Sequence, residues 1–150
     1  MTNSILTSSP EETESFGAEI ANALISNPSF PRFIALYGDL GVGKTAFVRG
    51  LVSVLAPGTA VRSPTFALVN EYRAKPLSVY HFDVYRIEDE DSLESIGFYD
   101  YPDRGICVVE WSENIPYALP DRYLRIEIQK CDAKTPDQRR ITVETVGGSL

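Results

Sequence analysis

Eight residues constrain this chain more than any others. Gly38-Asp39-Leu40-Gly41-Val42-Gly43-Lys44-Thr45 follow the pattern G-x-x-x-x-G-K-T. The apolar run Phe33-Ile34-Ala35-Leu36-Tyr37 precedes them, and a helical pattern over 46–55 follows, with Phe47, Leu51 and Leu55 on one stripe. Strand, Gly-rich loop, helix is the setting in which such a pattern binds phosphate. Gly38, Gly41 and Gly43 open backbone angles closed to other residues and leave room for phosphate oxygens. The loop N–H groups then converge on one concavity, and the helix N-terminus adds unpaired donors and a partial positive charge. On this reading Gly38, Asp39, Leu40, Gly41, Val42, Gly43, Lys44, Thr45 and Ala46 form the nucleotide site. Lys44 reaches the β- and γ-phosphates, and the Thr45 hydroxyl ligates Mg²⁺. The plain alternative is a Gly-rich turn before an ordinary helix. With Gly at about 7% of average sequence, a chance match in a chain of this length is on the order of one in a few hundred.

Such a loop calls for a second strand beside the first, ending in an acidic residue near the metal. Ile106-Cys107-Val108-Val109-Glu110 fits, which makes Glu110 a metal-linked carboxylate. Trp111 follows and reads as core or local packing. Between these two strands, residues 66–72 and 77–87 read as strands joined across Ala74-Lys75-Pro76, a connection short enough for an antiparallel hairpin. Alternation puts Tyr80, Phe82 and Val84 on one face and His81, Asp83 and Tyr85 on the other.

The flanks carry no chemistry. Residues 2–8 suit a short edge strand. Ser9-Pro10-Glu11-Glu12 starts a helix, with Ser9 as N-cap, Pro10 at the first helical position and Glu12 closing a capping box. Phe16, Ile20 and Leu24 face inward, and the helix ends before Pro28. The acidic run Glu88-Asp89-Glu90-Asp91 leads into a short helix over 91–96, stopped by Gly97. Phe98-Tyr99-Asp100-Tyr101 reads as a loop exposing several aromatics, which either pack down or mark a docking surface. Two alternating segments, 123–129 and 139–146, form a second hairpin through 132–138, and 147–150 fray.

The chain of 150 residues reads as one domain over 1–150, with 43% hydrophobic and 23% charged residues. No apolar run approaches the roughly 20 residues of a membrane span. The first residues lack a basic segment and a long apolar segment, so a secretory signal is not expected and a cytoplasmic location is. Two cysteines without metal-ligand spacing and a single histidine do not make a zinc site. A formal net charge of −7 argues against this chain gripping nucleic acid alone. It suits an acidic surface docked on a basic partner. The fold class expected is α/β: a P-loop NTPase-like mixed sheet, with a parallel core and antiparallel hairpins, flanked by helices.

In order along the chain, the phosphate loop, Ser63-Pro64-Thr65-Phe66, Asn70-Glu71-Tyr72, His81-Phe82-Asp83-Val84-Tyr85-Arg86 and Val109-Glu110-Trp111 resemble the motifs of the TsaE (YjeE) family. These are ATPases of bacterial tRNA threonylcarbamoyladenosine synthesis. Val42 stands where the family usually has Ala, and Ser112 where Pro or Ala is frequent. The resemblance implies ATP and Mg²⁺ as cofactors and makes Thr65 part of a switch-like segment near the γ-phosphate. It makes Asp83 and Glu110 the acidic residues of the site. It also implies two partner proteins, TsaB and TsaD, with tRNA reached only through the complex and no membrane involved. From the residues alone, Thr65 is not distinguished from Ser63, and Asp83 either positions water or completes the metal shell. His81 reads as structural.

Three other readings share the loop. A GTPase switch lacks its Asn-Lys-x-Asp and Asp-x-x-Gly motifs here. A small P-loop kinase would carry an Arg-rich lid and an acceptor pocket, yet the hairpin occupies that stretch. A non-catalytic, nucleotide-gated adaptor would keep the loop without needing both Asp83 and Glu110.

Overall fold

A computed structural model of the chain describes residues 2–39, 41–64 and 68–147. Among the described residues seven strands form one mixed sheet: β1 (Thr2–Thr7), β2 (Phe33–Tyr37), β3 (Val69–Tyr72), β4 (Ser78–Asp83), β5 (Gly105–Glu110), β6 (Tyr123–Asp132) and β7 (Thr135–Val146). Their order across the sheet is β1-β7-β6-β2-β5-β4-β3. The four central strands, β6, β2, β5 and β4, run parallel, and β1, β7 and β3 are antiparallel to their neighbours. This is the expected parallel core with antiparallel hairpins. Strands covered on both faces read as continuous apolar runs, and all six residues of β5 are buried.

The register positions the site. Glu110 at the end of β5 pairs with Leu36 on one side and Asp83 on the other. The C-terminal ends of β2, β5 and β4 therefore share one edge, where ligands of open α/β sheets bind.

Helices α1 (Pro10–Ser26) and α2 (Lys44–Leu55) cover one face. Phe16, Ile20, Phe47 and Leu51 pack there on Ile34, Leu36, Val108 and Ile126. The two helices touch backbone to backbone: a Cβ on Gly50 would lie 1.8 Å from the Glu14 carbonyl oxygen, and one on Gly17 2.2 Å from that of Phe47. The other face is aromatic. Phe33, Tyr80, Phe82 and Val109 pack there with Phe98, Ile115 and Leu93 of the short helix α3 (Glu90–Ser95).

Several local expectations shift. The strand over 77–87 stops at Asp83, because the chain turns there and the Ile87 amide donates to the Val84 carbonyl. Tyr85 thus leaves the His81–Asp83 face and stacks on Trp111, with ring centroids 4.7 Å apart. Of the two readings of 98–101, packing down holds at Phe98. Phe98–Asp100 form a single 3-10 turn and the Phe98 ring is buried against Phe82, centroids 5.0 Å apart, though Tyr99 is exposed. The last hairpin turns on residues 133–134 rather than 132–138, since Asp132 accepts from the Lys134 amide and both strands run up to the turn. Ser9 caps α1 by accepting from the Glu12 amide (3.1 Å), but the Glu12 carboxylate reaches back to the Ser8 amide, one residue before the expected partner. Asp89, not a later residue, caps α3; the Ser92 amide donates to its carboxylate and holds its pKa below the usual range. Both cysteines are free thiols, Cys107 buried and Cys131 exposed.

Candidate functional site

The chain leaves β2 at Tyr37 and enters α2 at Lys44 through a loop with three left-handed glycines, Gly38 (φ 140°), Gly41 (φ 75°) and Gly43 (φ 117°). At Gly38 space is also short: a Cβ would sit 2.5 Å from the Ile128 carbonyl oxygen. Gly43 is the N-cap of α2 and offers no side-chain acceptor, so the first amides of a 12-residue helix keep no capping partner from it. That is the arrangement that favours an anion.

Lys44 is buried, at 5% exposure. Its ammonium folds back, donating to the Gly38 carbonyl at 2.6 Å, and sits 3.7 Å above the Trp111 ring. Burial pushes its pKa down; Glu110, Glu113, Asp83 and Asp39, in that order, push the other way. Trp111 comes directly after Glu110 with a left-handed backbone (φ 64°), which turns the chain so that its indole faces the lysine. The reading of Trp111 as local packing missed this contact, since nothing in the pattern placed residue 111 beside residue 44.

A cleft of about 280 Å³ gathers Gly41, Gly43, Lys44, Thr45, Ser63, Asp83, Glu110 and Trp111. Four of the side chains predicted for chemistry, Lys44, Thr45, Asp83 and Glu110, thus line one space. Asp83 and Glu110 are paired neighbours across β4 and β5 and both are buried. Asp83 accepts from the Tyr85 amide at 2.9 Å, and Glu110 accepts from His81 Nε2 at 2.5 Å. Val42 and Ala46 are buried supports, and the Val42 carbonyl accepts from Arg139 Nε at 2.8 Å. Asp39 faces a different, larger cleft of about 400 Å³ with Glu113, Glu127 and Lys130, which contains neither Lys44 nor Thr45. Leu40 and Thr65 lie outside the described residues, and so does the Phe66 expected to start a strand.

The donor set suits a small hard cation held jointly with phosphate. Among the described residues no group of three or more His, Cys, Asp or Glu side chains could hold a metal by itself. Mg²⁺ asks for less: it binds through one or two protein oxygens plus substrate phosphates. The Thr45 hydroxyl and Glu110 carboxylate on one cleft meet that requirement.

The family model described as "Threonylcarbamoyl adenosine biosynthesis protein TsaE" matches residues 7–141. The chain belongs to the TsaE family. The TsaE protein of Bacillus subtilis is 39% identical over 142 residues, covering 94% of this chain and 84% of its own length. That of Haemophilus influenzae is 37% identical over 119 residues, covering 78% and 75%. Both are tRNA threonylcarbamoyladenosine biosynthesis proteins. The crystal structure of Bacillus subtilis YdiB superposes with a TM-score of 0.73 at 32% identity, over 99% of this chain and 87% of that one. As a TsaE-family member the chain takes part in tRNA threonylcarbamoyladenosine biosynthesis. No helix among the described residues is long and apolar enough to cross a membrane.

Proposed function

We propose that this chain is the ATP-binding, Mg²⁺-dependent ATP-hydrolysing subunit of the tRNA threonylcarbamoyladenosine pathway, working with TsaB and TsaD in the cytoplasm. The observation that supports it best is the single cleft joining Lys44 and Thr45 at the start of α2 to Asp83 and Glu110 at the ends of β4 and β5. Phosphoryl transfer to water needs positioning and charge neutralisation more than covalent chemistry, and this cleft has the groups for both.

The loop amides and the N-terminus of α2 cradle the phosphates. Lys44 gives up the Gly38 carbonyl and the Trp111 face in exchange for phosphate oxygens, so its ammonium arrives from a preformed position. Thr45 and Glu110 would hold Mg²⁺, which would neutralise phosphate charge when bound. With two carboxylates facing one ammonium, the cleft disfavours bare triphosphate and favours the metal complex. Asp83, paired beside Glu110, orients the attacking water or completes the ion's shell. The family resemblance gives Thr65 a role near the γ-phosphate; that residue lies outside the described ones.

The net charge of −7 suits docking beside a tRNA-binding subunit rather than on tRNA itself. We assign the transfer to adenosine 37 to TsaD, and to this chain the hydrolysis that permits repeated turnover. The test is phosphate release from MgATP by this chain alone and with the TsaB–TsaD pair. Slow release alone and strong stimulation by the pair is the expected result. Tight binding without release under either condition would instead establish a nucleotide-gated adaptor.

A further inference from the structure

His81 is a histidine with no exposure, set in the middle of a buried strand. An apolar residue would pack there at lower cost, because every buried polar atom needs a partner. Both ring nitrogens have one. Nε2 lies 2.5 Å from Glu110 Oε2, and Nδ1 lies 3.1 Å from the Tyr72 hydroxyl. The hydroxyl of Tyr72, also buried, lies 3.1 Å from the Arg62 carbonyl oxygen as well, and accepts from the Arg62 amide at 3.4 Å. Asn70 Nδ2 donates to the same carbonyl at 3.0 Å. Beyond Arg62 the chain passes to Ser63, which returns to the cleft that Glu110 lines. The bonds therefore run from the cleft carboxylate, through β4 and β3, to the segment forming another wall of that cleft.

We propose that His81 and Tyr72 are positioning residues that lock the Glu110 carboxylate and the 62–64 segment into one unit. Resting on the nucleotide-binding reading for its consequence, the inference explains why Asn70-Glu71-Tyr72 and His81 accompany the acidic residues. An ionised carboxylate only accepts, so Nε2 carries the hydrogen and occupies Oε2. Glu110 Oε1 is then the oxygen left for the cleft. Partners of this kind orient ligating carboxylates, and their loss typically costs about 10- to 100-fold in metal affinity. At the far end, the Tyr72 hydroxyl has one hydrogen and two acceptors to choose from, Arg62 O and His81 Nδ1. A shift of the 62–64 segment therefore changes what His81 meets, and through it how Glu110 is held.

Two measurements test this, and the first needs no nucleotide. His81 is the chain's one histidine, so its ring N–H resonance identifies itself. In the free protein it should appear far downfield and exchange slowly, move strongly in Glu110→Gln, and move less in Tyr72→Phe. Its absence from the free wild type, or its indifference to Glu110→Gln, would overturn the inference whatever the protein binds. The second follows the fluorescence of Trp111, the one tryptophan, during Mg²⁺ titration of the protein mixed with ATP. His81→Leu should raise the Mg²⁺ needed by about 10- to 100-fold, and His81→Gln, whose amide can still donate to Glu110, should bring it back to within about threefold of wild type. Equal effects of Leu and Gln would mean a packing role only and sink the proposal. Should His81→Leu fail to fold, Tyr72→Phe decides: it should speed exchange of the Arg62 and Ser63 amides while the His81–Glu110 resonance persists, and unchanged exchange would refute the coupling. Failure of the wild type to bind ATP would defeat the proposed function but leave the resonance experiment standing on its own.

Discussion

Neighbouring residues of β4 and β5 serve opposite ends. On the helix-covered face, His81, Asp83 and Glu110 are buried polar groups, and the two carboxylates act on Lys44. On the other face Phe82, Cys107 and Val109 join Phe33 and Phe98 in a cluster of apolar and aromatic side chains. Phe98 meets both Phe82 and Phe33 edge-on, with centroids at 5.0 and 6.1 Å. Each fully buried large apolar side chain contributes about 1.5–3 kcal/mol, and aromatic pairs add about 0.5–1.5 kcal/mol. Buried charges contribute little net stability even when paired. On β4 and β5 the aromatic face is given to packing alone, whereas the helix-covered face packs Val79, Ile106 and Val108 and keeps its polar groups toward the strand ends, placed for chemistry. The same pair of strands does both because side chains alternate.

Breaking each side in turn should separate the two roles. Phe98→Ala strikes the aromatic face at a residue off the site strands, and should lower unfolding free energy by about 3–5 kcal/mol in a denaturant titration. Lys44→Ala strikes the polar face. It should cut ATP hydrolysis by at least about 10²- to 10³-fold while leaving the denaturation midpoint near wild type. Gly50→Ala tests the helix layer over the polar face. Its Cβ would meet the Glu14 carbonyl at 1.8 Å, so α1 and α2 must part, at a cost of about 1–3 kcal/mol readable by thermal unfolding.

The smallest effect concerns Cys107. Burial pushes its thiol pKa up to about 12 from the ordinary 9.0. The folded state therefore keeps a proton that the unfolded state loses, so this group's stabilisation is whole below about pH 9 and drains away between about pH 9 and 12. At pH 8 a thiol reagent should label only the exposed Cys131 in the native protein, and both cysteines after unfolding. Rapid native labelling of Cys107 would show that the aromatic face opens more readily than its packing implies.

Much of this arrangement is legible in the sequence. The loop, its flanking strand and helix, and the hairpin before β5 follow from spacing and apolar runs alone. Glu110 is readable once a second strand is expected beside the first, and that strand does pair with β2. What escapes is contact between distant residues. Lys44 against Trp111 and His81 against Glu110 depend on which strands are neighbours and where the backbone turns left-handed. For 98–101 the pattern leaves packing and docking open, because four residues rich in aromatics look alike whether they cover a core or face water; the contacts of Phe98 with Phe33 and Phe82 decide for packing. Spacing alone makes Asp83 no more than a strand carboxylate; the family resemblance singles it out, and the register of β4 on β5 pairs it with Glu110.

The most direct test of this division is ATP binding by calorimetry with Mg²⁺, run side by side on wild type, Lys44→Ala and Phe98→Leu at a temperature where all three are folded. Phe98→Leu keeps most of the side chain, so the protein should be less stable yet bind ATP as wild type does, whereas Lys44→Ala should be as stable as wild type and lose tight binding. The reverse outcome, with ATP binding retained by Lys44→Ala and lost in folded Phe98→Leu, would contradict both the site assignment and the separation of the two faces.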